Sequence, residues 1–527
     1  MVTRSAIRRF LMESLRVAAL ALAAVVISML WPGAHAAPAP APGPTPPAGT
    51  DGTLPGRFGR MFPTLTQFAP PNDTIRAALM ELGKPGGLMD AHDDLGAGPV
   101  LLITDPTLSA HNPNNPAHTA GTTFLGQFLD HDMTFDTTSR LGQPTRPVTA
   151  PNARHAPFDL DSVYGEGPSG SPLLYDPIDR IKFRVESGGL FEDLPRDGNL
   201  TAIIADPRND ENVVIAGLQA AFLLFHNRAV DRIRAEDPEL SNDEVFSAAR
   251  RLTTWHYQWI IVHEFLPQIV GPAMVDDILA HGRRYYTPAP DGGFIPVEFQ
   301  IAYRFGHSMV RPSYRANLAG DHGQPFFGLV FDPSQEGRED PGDLRGGFRS
   351  PRRFIGWQTF FDFGDGQVKP NKRIDTMLST PLFDLPLRSI ASGQPPTSLA
   401  QRNLLRHLTW QVPSGQAIAR LMGEPVLSRA DLADLHRVHR TFDASTPLWY
   451  YVLREADVME GGAHLGPVGG RIVGEVFLGL LQTDPDSYLV ANPGWIPTLP
   501  TRSGRAADFR MTDFLTIARV DPGNRGQ

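Results

Sequence analysis

The sequence contains no cysteine. The chain therefore forms no disulfide, has no thiolate nucleophile and offers no thiolate ligand to iron or zinc, whatever compartment it occupies. Its stability must come from a packed core or from bound ions and cofactors.

Clusters of basic residues are missing as well. The chain has 48 Lys and Arg against 57 Asp and Glu, a formal net charge of -9 and a pI near 6.0. Binding to nucleic acid needs a basic face that contacts the phosphates. The sequence also has no internal repeat and no glycine-rich phosphate loop. These absences argue against nucleic acid as a partner.

The most apolar run of the chain lies at the N-terminus. Four arginines in the first 16 residues precede an uncharged run over residues 17–30, and the small-residue site Ala34-His35-Ala36 follows. This pattern predicts a signal peptide over residues 1–36 and a secreted or periplasmic protein with no stable membrane partner after cleavage. The export route, general secretory or twin-arginine, stays open, and an uncleaved membrane anchor is the alternative.

The composition changes twice after the signal. Proline occupies 6 of the 14 positions from 37 to 50, which predicts an extended linker over residues 37–54. The chain as a whole is 41% hydrophobic and 20% charged, a globular composition. We predict one large domain over residues 55–527.

The periodic segments of this domain are helical rather than alternating. The clearest helix covers residues 213–235 and follows Asn209-Asp210-Glu211, which we interpret as capping and acidic first-turn residues. Further helices are predicted over residues 251–265 and 470–482. Gly/Pro-rich stretches such as residues 326–349 predict irregular loops. The predicted fold class is mainly α, with long irregular loops and little β.

The segment over residues 124–136 holds the densest group of polar side chains. It places His131 between Asp130 and Asp132, with Gln127 one helical turn upstream. On a helix, Gln127 and His131 share a face, and the two carboxylates point to either side of the histidine. One turn could then reach a substrate pocket, a cofactor edge and a metal. The alternative is a solvated acidic patch with a surface histidine.

Two shorter motifs follow along the chain. In the loop over residues 157–165, Asp159 and Asp161 alternate with backbone carbonyls, an oxygen-rich set that suits calcium, although ordinary turns share the pattern. Arg208 and Glu211 lie three apart just before the best helix, where a plain helix cap is the alternative.

Two further motifs lie in the second half of the chain. His307 ends a predicted helix in mostly apolar surroundings, either as a satisfied core histidine or as a metal ligand. Asn403 and Arg406 lie three apart, on one face of a helix.

Together and in this order, the motifs resemble those of the peroxidase–cyclooxygenase superfamily, the animal-type haem peroxidases, and above all their secreted bacterial members. The resemblance extends from about residue 55 to the C-terminus. It implies a mainly α haem peroxidase domain that binds haem b and calcium and uses hydrogen peroxide. The distal haem motif corresponds to residues 126–132, the calcium loop to 159–165, the distal arginine segment to 208–211 and the proximal motif to 304–307.

The resemblance assigns roles on the two sides of the haem. His307 would bind the iron, and Asn403 would accept a hydrogen bond from the other ring nitrogen. On the distal side, His131 would take a proton from hydrogen peroxide and return it to the leaving oxygen. Arg208 would stabilise the developing charge and Gln127 would hydrogen-bond the substrate, which leads to a ferryl intermediate.

Other residues would hold the haem itself. Arg304 and Arg406 would pair with its propionates. Asp130 and Glu211 match the carboxylates that form ester bonds to haem methyl groups in mammalian members. Asn212 stands where one animal member has the methionine of a sulfonium link. That bond cannot form here, so we expect a less oxidising haem.

The implied calcium ligands lie beside the distal helix. Asp132 would join Asp159 and Asp161 around the ion, with Pro157 and His155 from the same loop. His155 stands where animal members supply a threonine. Calcium disfavours imidazole, so calcium occupancy stays open.

The predicted function is that of a secreted haem peroxidase that oxidises bromide, iodide, thiocyanate or phenolic and aromatic donors. A haem-dependent fatty-acid dioxygenase is one alternative, but its radical tyrosine would stand three residues before His307, where this chain has Arg304. A metal-dependent hydrolase using His256 and His263 lacks the second histidine of a zinc motif. A non-catalytic calcium-binding matrix protein is the remaining alternative. The donor and the oligomeric state stay open.

Overall fold

The computed structural model describes residues 56–525, except residues 156, 188–190, 289–292, 348–350 and 391. The predicted signal peptide and linker lie outside the described residues. The described residues belong to one compact unit.

The architecture is mainly α, as the sequence predicts. The helices are α1 Asp73–Leu82, α2 Gly98–Thr104, α3 Ala120–Met133, α4 Asp161–Tyr164, α5 Gly167–Gly170, α6 Val213–Glu236, α7 Asn242–Ile260, α8 Leu266–Val270, α9 Pro272–His281, α10 Val297–Ala302, α11 Leu399–Trp410, α12 Gly415–Met422, α13 Leu448–Glu460, α14 Pro467–Thr483, α15 Tyr488–Ala491, α16 Met511–Ile517 and α17 Pro522–Arg525.

The β structure consists of short two-stranded pairs. The strands are β1 Phe58–Gly59, β2 Asn114–Thr119, β3 Glu186–Ser187, β4 Glu192–Asp193, β5 Ile295–Pro296, β6 Ser313–Arg315, β7 Phe327–Leu329 and β8 Pro370–Lys372. Strand β1 pairs in parallel with β5. The pairs β2 with β8, β3 with β4 and β6 with β7 are antiparallel.

Helix α6 begins where the sequence predicts, but its cap is different. The Asn212 side chain accepts hydrogen bonds from the backbone N–H groups of Val214 and Ile215, so it satisfies donors that the first helical turn leaves unpaired. Residues Pro207–Asp210 form a separate 3-10 turn. The prediction that residues 209–211 cap this helix was wrong, because Asn212 already fills that role.

The predicted helix over residues 251–265 is the second half of a longer element. Helix α7 starts with a capping box between Ser241 and Glu244. It continues into a π-helical segment, Ile261–Phe265, and then into α8.

Helix α3 lies inside the core. Its apolar residues Phe124, Leu125, Phe128 and Leu129 are buried, and it packs against α6 and the 3-10 turn Tyr303–Met309. The core therefore holds the helix with the distal motif against the turn with the proximal motif.

Helix α6 has the length and hydropathy of a membrane span, but 83% of its most apolar window is buried inside the protein. It is a central core helix. Among the described residues, no other helix passes the same test of length and hydropathy.

Candidate active site

Four separate elements surround one cavity of about 290 Å³. Polar side chains of its wall come from helix α3, from the turn before α6, from the turn after α10 and from helix α11. These are Gln127, Asp130, His131, Arg208, Glu211, Arg304, His307, Arg402 and Arg406. The proposed catalytic and cofactor-binding residues thus share one cavity, except that Asn403 lies behind His307 and bonds to it.

His131 is oriented by an asparagine that sequence reasoning missed. The Nδ1 atom of its ring lies 2.8 Å from Asn209 Oδ1, and Asn209 Nδ2 donates to Gln219 Oε1 at 2.8 Å. Because Asn209 Oδ1 is an acceptor, Nδ1 carries the proton and Nε2 keeps its lone pair. Burial, and after it the charge of Arg208, lowers the pKa of His131 to about 4. The imidazole is a neutral base at neutral pH.

Arg208 is fixed by a buried carboxylate. Its Nε and Nη2 atoms donate to the two Asp206 oxygens at 3.0 and 2.7 Å, and Nη2 also donates to His131 O at 3.0 Å. Its guanidinium lies 4.3 Å from the centre of the Phe135 ring. A bidentate pair of this kind fixes both position and orientation. Asp206 was not among the predicted site residues, since an Asp two positions before an Arg is an ordinary sequence.

Gln127 links two residues of the segment before α6. Its Nε2 donates to Glu211 Oε2 at 3.1 Å, and its Oε1 accepts from Asn212 Nδ2 at 3.2 Å. Burial raises the pKa of Glu211 to about 8. At neutral pH this carboxyl group is therefore largely protonated. On the other side of the helix, Thr134 Oγ1 donates to Asp130 Oδ1 at 3.1 Å.

A close backbone contact holds Glu211 in place. The N–H of Gly346 donates to Glu211 O at 2.9 Å. A Cβ atom at position 346 would lie 1.6 Å from Asp210 O. Only glycine allows the two backbones to approach this closely.

On the proximal side, Asn403 contacts both His307 and Arg304. Asn403 Nδ2 lies 2.7 Å from His307 Nδ1, and Asn403 Oδ1 accepts from Arg304 Nη1 at 3.3 Å. The contact with His307 is as predicted, but the amide oxygen faces Arg304 rather than the imidazole. A half-turn of the amide exchanges its oxygen and nitrogen within the same shape. Burial, and then the charge of Arg304, lowers the pKa of His307 to about 3, so its ring is neutral.

The guanidinium groups beside His307 fit a ligand with carboxylates. Arg304 is partly buried, and its buried Nε has no hydrogen-bond partner among the described residues. Burial, and then repulsion by Arg406, lowers the pKa of Arg304 to about 10. Arg406 donates to Asp136 Oδ2 at 2.9 Å. Gly306 leaves further room, since a Cβ there would meet nothing within 4 Å. The donor set and the space fit haem with its two propionates.

Three carboxylates form a candidate cation site behind His131. Ligand atoms of Asp132, Asp159 and Asp161 all lie within 4.8 Å of one another. Burial, and after it Asp161 and Asp159, raises the pKa of Asp132 to about 8. Asp161 Oδ1 is buried and has no hydrogen-bond partner among the described residues. A divalent cation would offset this crowding of oxygen ligands.

The loop of this site has an unusual backbone. Phe158 and Leu160 are fully buried, yet their φ angles are +59° and +63°, a region that residues other than glycine rarely adopt. These two residues anchor the loop in the core, while Asp159 between them reaches the carboxylate cluster. Pro157 lies in the same loop and has only its carbonyl to offer.

His155 lies beside the carboxylates rather than among them. Its side chain is 70% exposed and its Nδ1 lies 2.9 Å from Asp159 Oδ2. Its backbone N–H donates to Asp161 Oδ2 at 2.9 Å. Its imidazole is thus placed to hydrogen-bond a ligand rather than to act as one.

The chain is similar to known proteins over this region. The family model of the animal haem peroxidases matches residues 158–332. Human eosinophil peroxidase is 26% identical over 50% of this chain and 36% of its own length. Chorion peroxidase of Drosophila melanogaster is 26% identical over 60% of this chain and 39% of its own length. The chain thus spans well under two thirds of these relatives.

Solved structures share the fold. Peroxidase A from Dictyostelium discoideum aligns with a TM-score of 0.52 and 17% identity, over 82% of this chain and 89% of that one. Fatty acid alpha-dioxygenase from Oryza sativa aligns with a TM-score of 0.57 and 14% identity, over 89% of this chain and 79% of that one. Residues 158–332 therefore resemble the animal haem peroxidases, and the chain shares its fold with solved peroxidase and dioxygenase structures.

Proposed function

We propose that this protein is a haem peroxidase that reduces hydrogen peroxide and oxidises small anions or aromatic donors. The observation that carries this proposal is the fixed pair His131 and Arg208, a neutral base and a cation that meet in the cavity that His307 also lines. A matrix protein that only bound calcium would have no need for this arrangement.

The two distal residues divide the work on peroxide. His131 accepts a proton from the oxygen nearer the haem and returns it to the outer oxygen, which leaves as water. Arg208 stabilises the negative charge that develops on the leaving oxygen. Because Asp206 and Asn209 hold these side chains, neither must reorganise during the step. Haem, when bound, would supply the two electrons that cleavage of the O–O bond requires.

The proximal residues bind and tune the cofactor. Asn403 holds the Nδ1 side of the His307 ring, which leaves Nε2 as the nitrogen for the iron. A neutral imidazole that bound iron through Nε2 would carry a proton on Nδ1, so the amide of Asn403 would have to present its oxygen to His307. Arg304 would then be free to pair with a propionate.

Small donors suit the shape of the site. A second cavity of about 200 Å³ lies beside the main one, since Glu211 and Ser389 line both. Gln127 lines the main cavity with amide and guanidinium neighbours that favour anions. We propose bromide, iodide, thiocyanate and phenols as donors. We further propose calcium at Asp132, Asp159 and Asp161, ester links through Asp130 and Glu211, and an extracytoplasmic location.

A fatty-acid dioxygenase is the second candidate, because such an enzyme is among the structural neighbours. Arg304, not tyrosine, stands three residues before His307. The hydroxyl of Tyr303 lines the cavity wall but donates to Gly126 O at 3.0 Å. Oxygen uptake with a long-chain fatty acid, abolished in Tyr303→Phe, would favour the dioxygenase.

The decisive test is the absorption spectrum of the mature protein, purified with haem, before and after one equivalent of hydrogen peroxide. We expect a Soret band that shifts within seconds. His307→Ala should lose haem. His131→Ala should keep haem but react with peroxide about 10²- to 10⁴-fold more slowly, the usual effect of losing a general acid–base group. The matched control for the two histidine variants is His281→Ala, at an exposed position. Well-folded protein without a Soret band would refute the proposal.

A further inference from the structure

A compact group of oxidisable side chains lies outside the cavity, at the end of α7. We call Trp255, Trp259, His263, Tyr488 and Trp495 the aromatic cluster. The Trp259 and His263 rings stack with centroids 3.7 Å apart. The ring centroid of Trp495 lies 5.4 Å from that of Trp255, 5.9 Å from that of Trp259 and 5.6 Å from that of Tyr488. Three of the chain's seven tryptophans therefore meet at one place.

The cluster extends from the interior to the surface. Trp259 and Tyr488 are buried, with 6% and 2% exposure, whereas Trp255 and Trp495 are half-buried and His263 is exposed. One edge of the group is accessible to a molecule in solution, and the opposite edge is packed in the core.

A short segment of chain connects the cluster to the haem cavity. Trp259 is the last but one residue of α7, and the π-helical segment Ile261–Phe265 follows that helix directly. Phe265, the last residue of that segment, lines the cavity. Its ring also lies close to Gly126, since a Cβ at Gly126 would be 3.2 Å from it. π-Helical turns are rare and occur often at functional sites. Here the π-helical segment leads along the chain from Trp259 of the aromatic cluster to Phe265 of the cavity wall.

The chemistry of the cluster fits electron transfer rather than binding of a metal. Indole and phenol are among the side chains that lose an electron most readily, and tunnelling over several short steps is faster than over one long step. The Trp259 Nε1 atom is buried without a hydrogen-bond partner among the described residues, so an oxidised ring would have no base to take its proton. The neighbouring His263 ring stacks on this indole, and its Nε2 atom lies 3.2 Å from the Tyr488 hydroxyl.

We propose that the aromatic cluster is a second site of oxidation, where phenolic donors too large to enter the cavity each give up one electron to the haem through Trp495, Trp255 and Trp259. The inference rests on the proposed peroxidase function. Each hydrogen peroxide takes two electrons and two protons and becomes two waters. Two phenols each lose one electron and one proton, so that two phenoxyl radicals form per peroxide.

The experiment compares one phenol in two forms, free and linked to a soluble dextran. Trp495→Phe and Trp259→Phe keep an aromatic ring but remove the indole. Both variants should lose about an order of magnitude in turnover of the dextran-linked phenol and keep turnover of the free phenol and of iodide. Trp357→Phe, at a buried tryptophan outside the cluster, should change neither.

A second readout does not depend on turnover. The holoprotein, given one equivalent of peroxide and no donor, should show a tryptophan radical in the electron paramagnetic resonance spectrum and added oxygen on cluster tryptophans by peptide mass spectrometry. The protein without haem should show neither. Equal loss for free and linked phenol, or a radical confined to Tyr303, would overturn the proposal while the peroxidase function stands. Loss of the Soret response to peroxide would overturn both.

Discussion

The Nδ1 atom of His131 lies 2.8 Å from Oδ1 of Asn209, 78 positions away along the chain. This hydrogen bond fixes the tautomer of His131, because an amide oxygen can only accept. It leaves Nε2 unprotonated, as a general base must be. Asn209, the residue next to Arg208, thus orients His131.

Asn209→Ala should slow the reaction with peroxide while haem content stays unchanged. Without the acceptor, the imidazole can turn and adopt the wrong tautomer. Loss of a residue that orients a functional histidine typically costs about 10- to 100-fold. Stopped-flow measurement of the Soret shift gives the rate constant. Asn209→Asp keeps an acceptor at the same place and should retain most of the rate. An unchanged rate in Asn209→Ala would remove Asn209 from the mechanism.

Extraction with acidified organic solvent tests the ester links to haem. Asp130 and Glu211 both line the cavity, so each carboxyl group has access to the cofactor edge. Haem from the native protein should resist extraction after exposure to peroxide. Glu211→Gln and Asp130→Asn should each leave one link, and the double variant should release all of its haem. Freely extractable haem in the native protein would rule out both links.

Removal of calcium should destabilise the protein and slow peroxide activation together, because Asp132 directly follows His131 on α3. A chelator should lower the melting temperature, and added Ca²⁺ should restore it. Asp161→Asn should reduce the calcium content, measured by atomic emission. His155→Ala should not, since its ring lies outside the carboxylate cluster. Purified native protein with no bound calcium and no response to chelator would contradict this site.

Acid should destabilise the protein between pH 6.5 and about 4 through its buried histidines. Burial lowers the pKa of His226 and of His407 to about 4, whereas an unfolded histidine titrates near pH 6.5. Between these values the unfolded chain binds more protons than the folded one, so the free energy of unfolding falls as pH falls. Each histidine contributes up to about 3 kcal/mol at neutral pH, which is lost by about pH 4.

The pH test compares slopes rather than absolute stabilities. His226→Gln cannot titrate in this range, so its melting temperature should fall less steeply between pH 6.5 and 4. Buried Glu455, whose pKa burial raises to about 8, acts in the opposite direction in every variant, and the comparison cancels its contribution. Equal slopes in the native protein and in His226→Gln would refute the assignment.

Local patterns identified at least part of the three longest helices and most of the ionisable residues that line the cavity. The periodicity of residues 213–235 predicted α6 correctly, because one continuous apolar pattern dictates both its length and its burial. The predicted cap was wrong, since Asn209 and Asn212 are equally good caps by residue type. Only the fold shows that Asn209 turns toward His131.

The pair His256 and His263 illustrates the same limit. Their spacing on a helix fits a metal site poorly, and the sequence indicates no other role for them. In the structure, His256 packs against the Trp495 and Phe509 rings, at centroid distances of 5.1 and 4.7 Å. These contacts join α7 to the C-terminal part of the chain, more than two hundred positions away.

The sequence by itself predicted the mainly α class and the resemblance to the animal haem peroxidases, and it singled out His131, Arg208 and His307, because residue type and short spacing carry that information. The tertiary structure decided which groups orient them. Separate segments must meet before Asn209 can bond to His131 and before Asp206 can bond to Arg208. The direction of the Asn403 amide depends on such a meeting as well. Hydrogen bonds are effective over about 3 Å, and only packing of the folded chain brings such atoms that close.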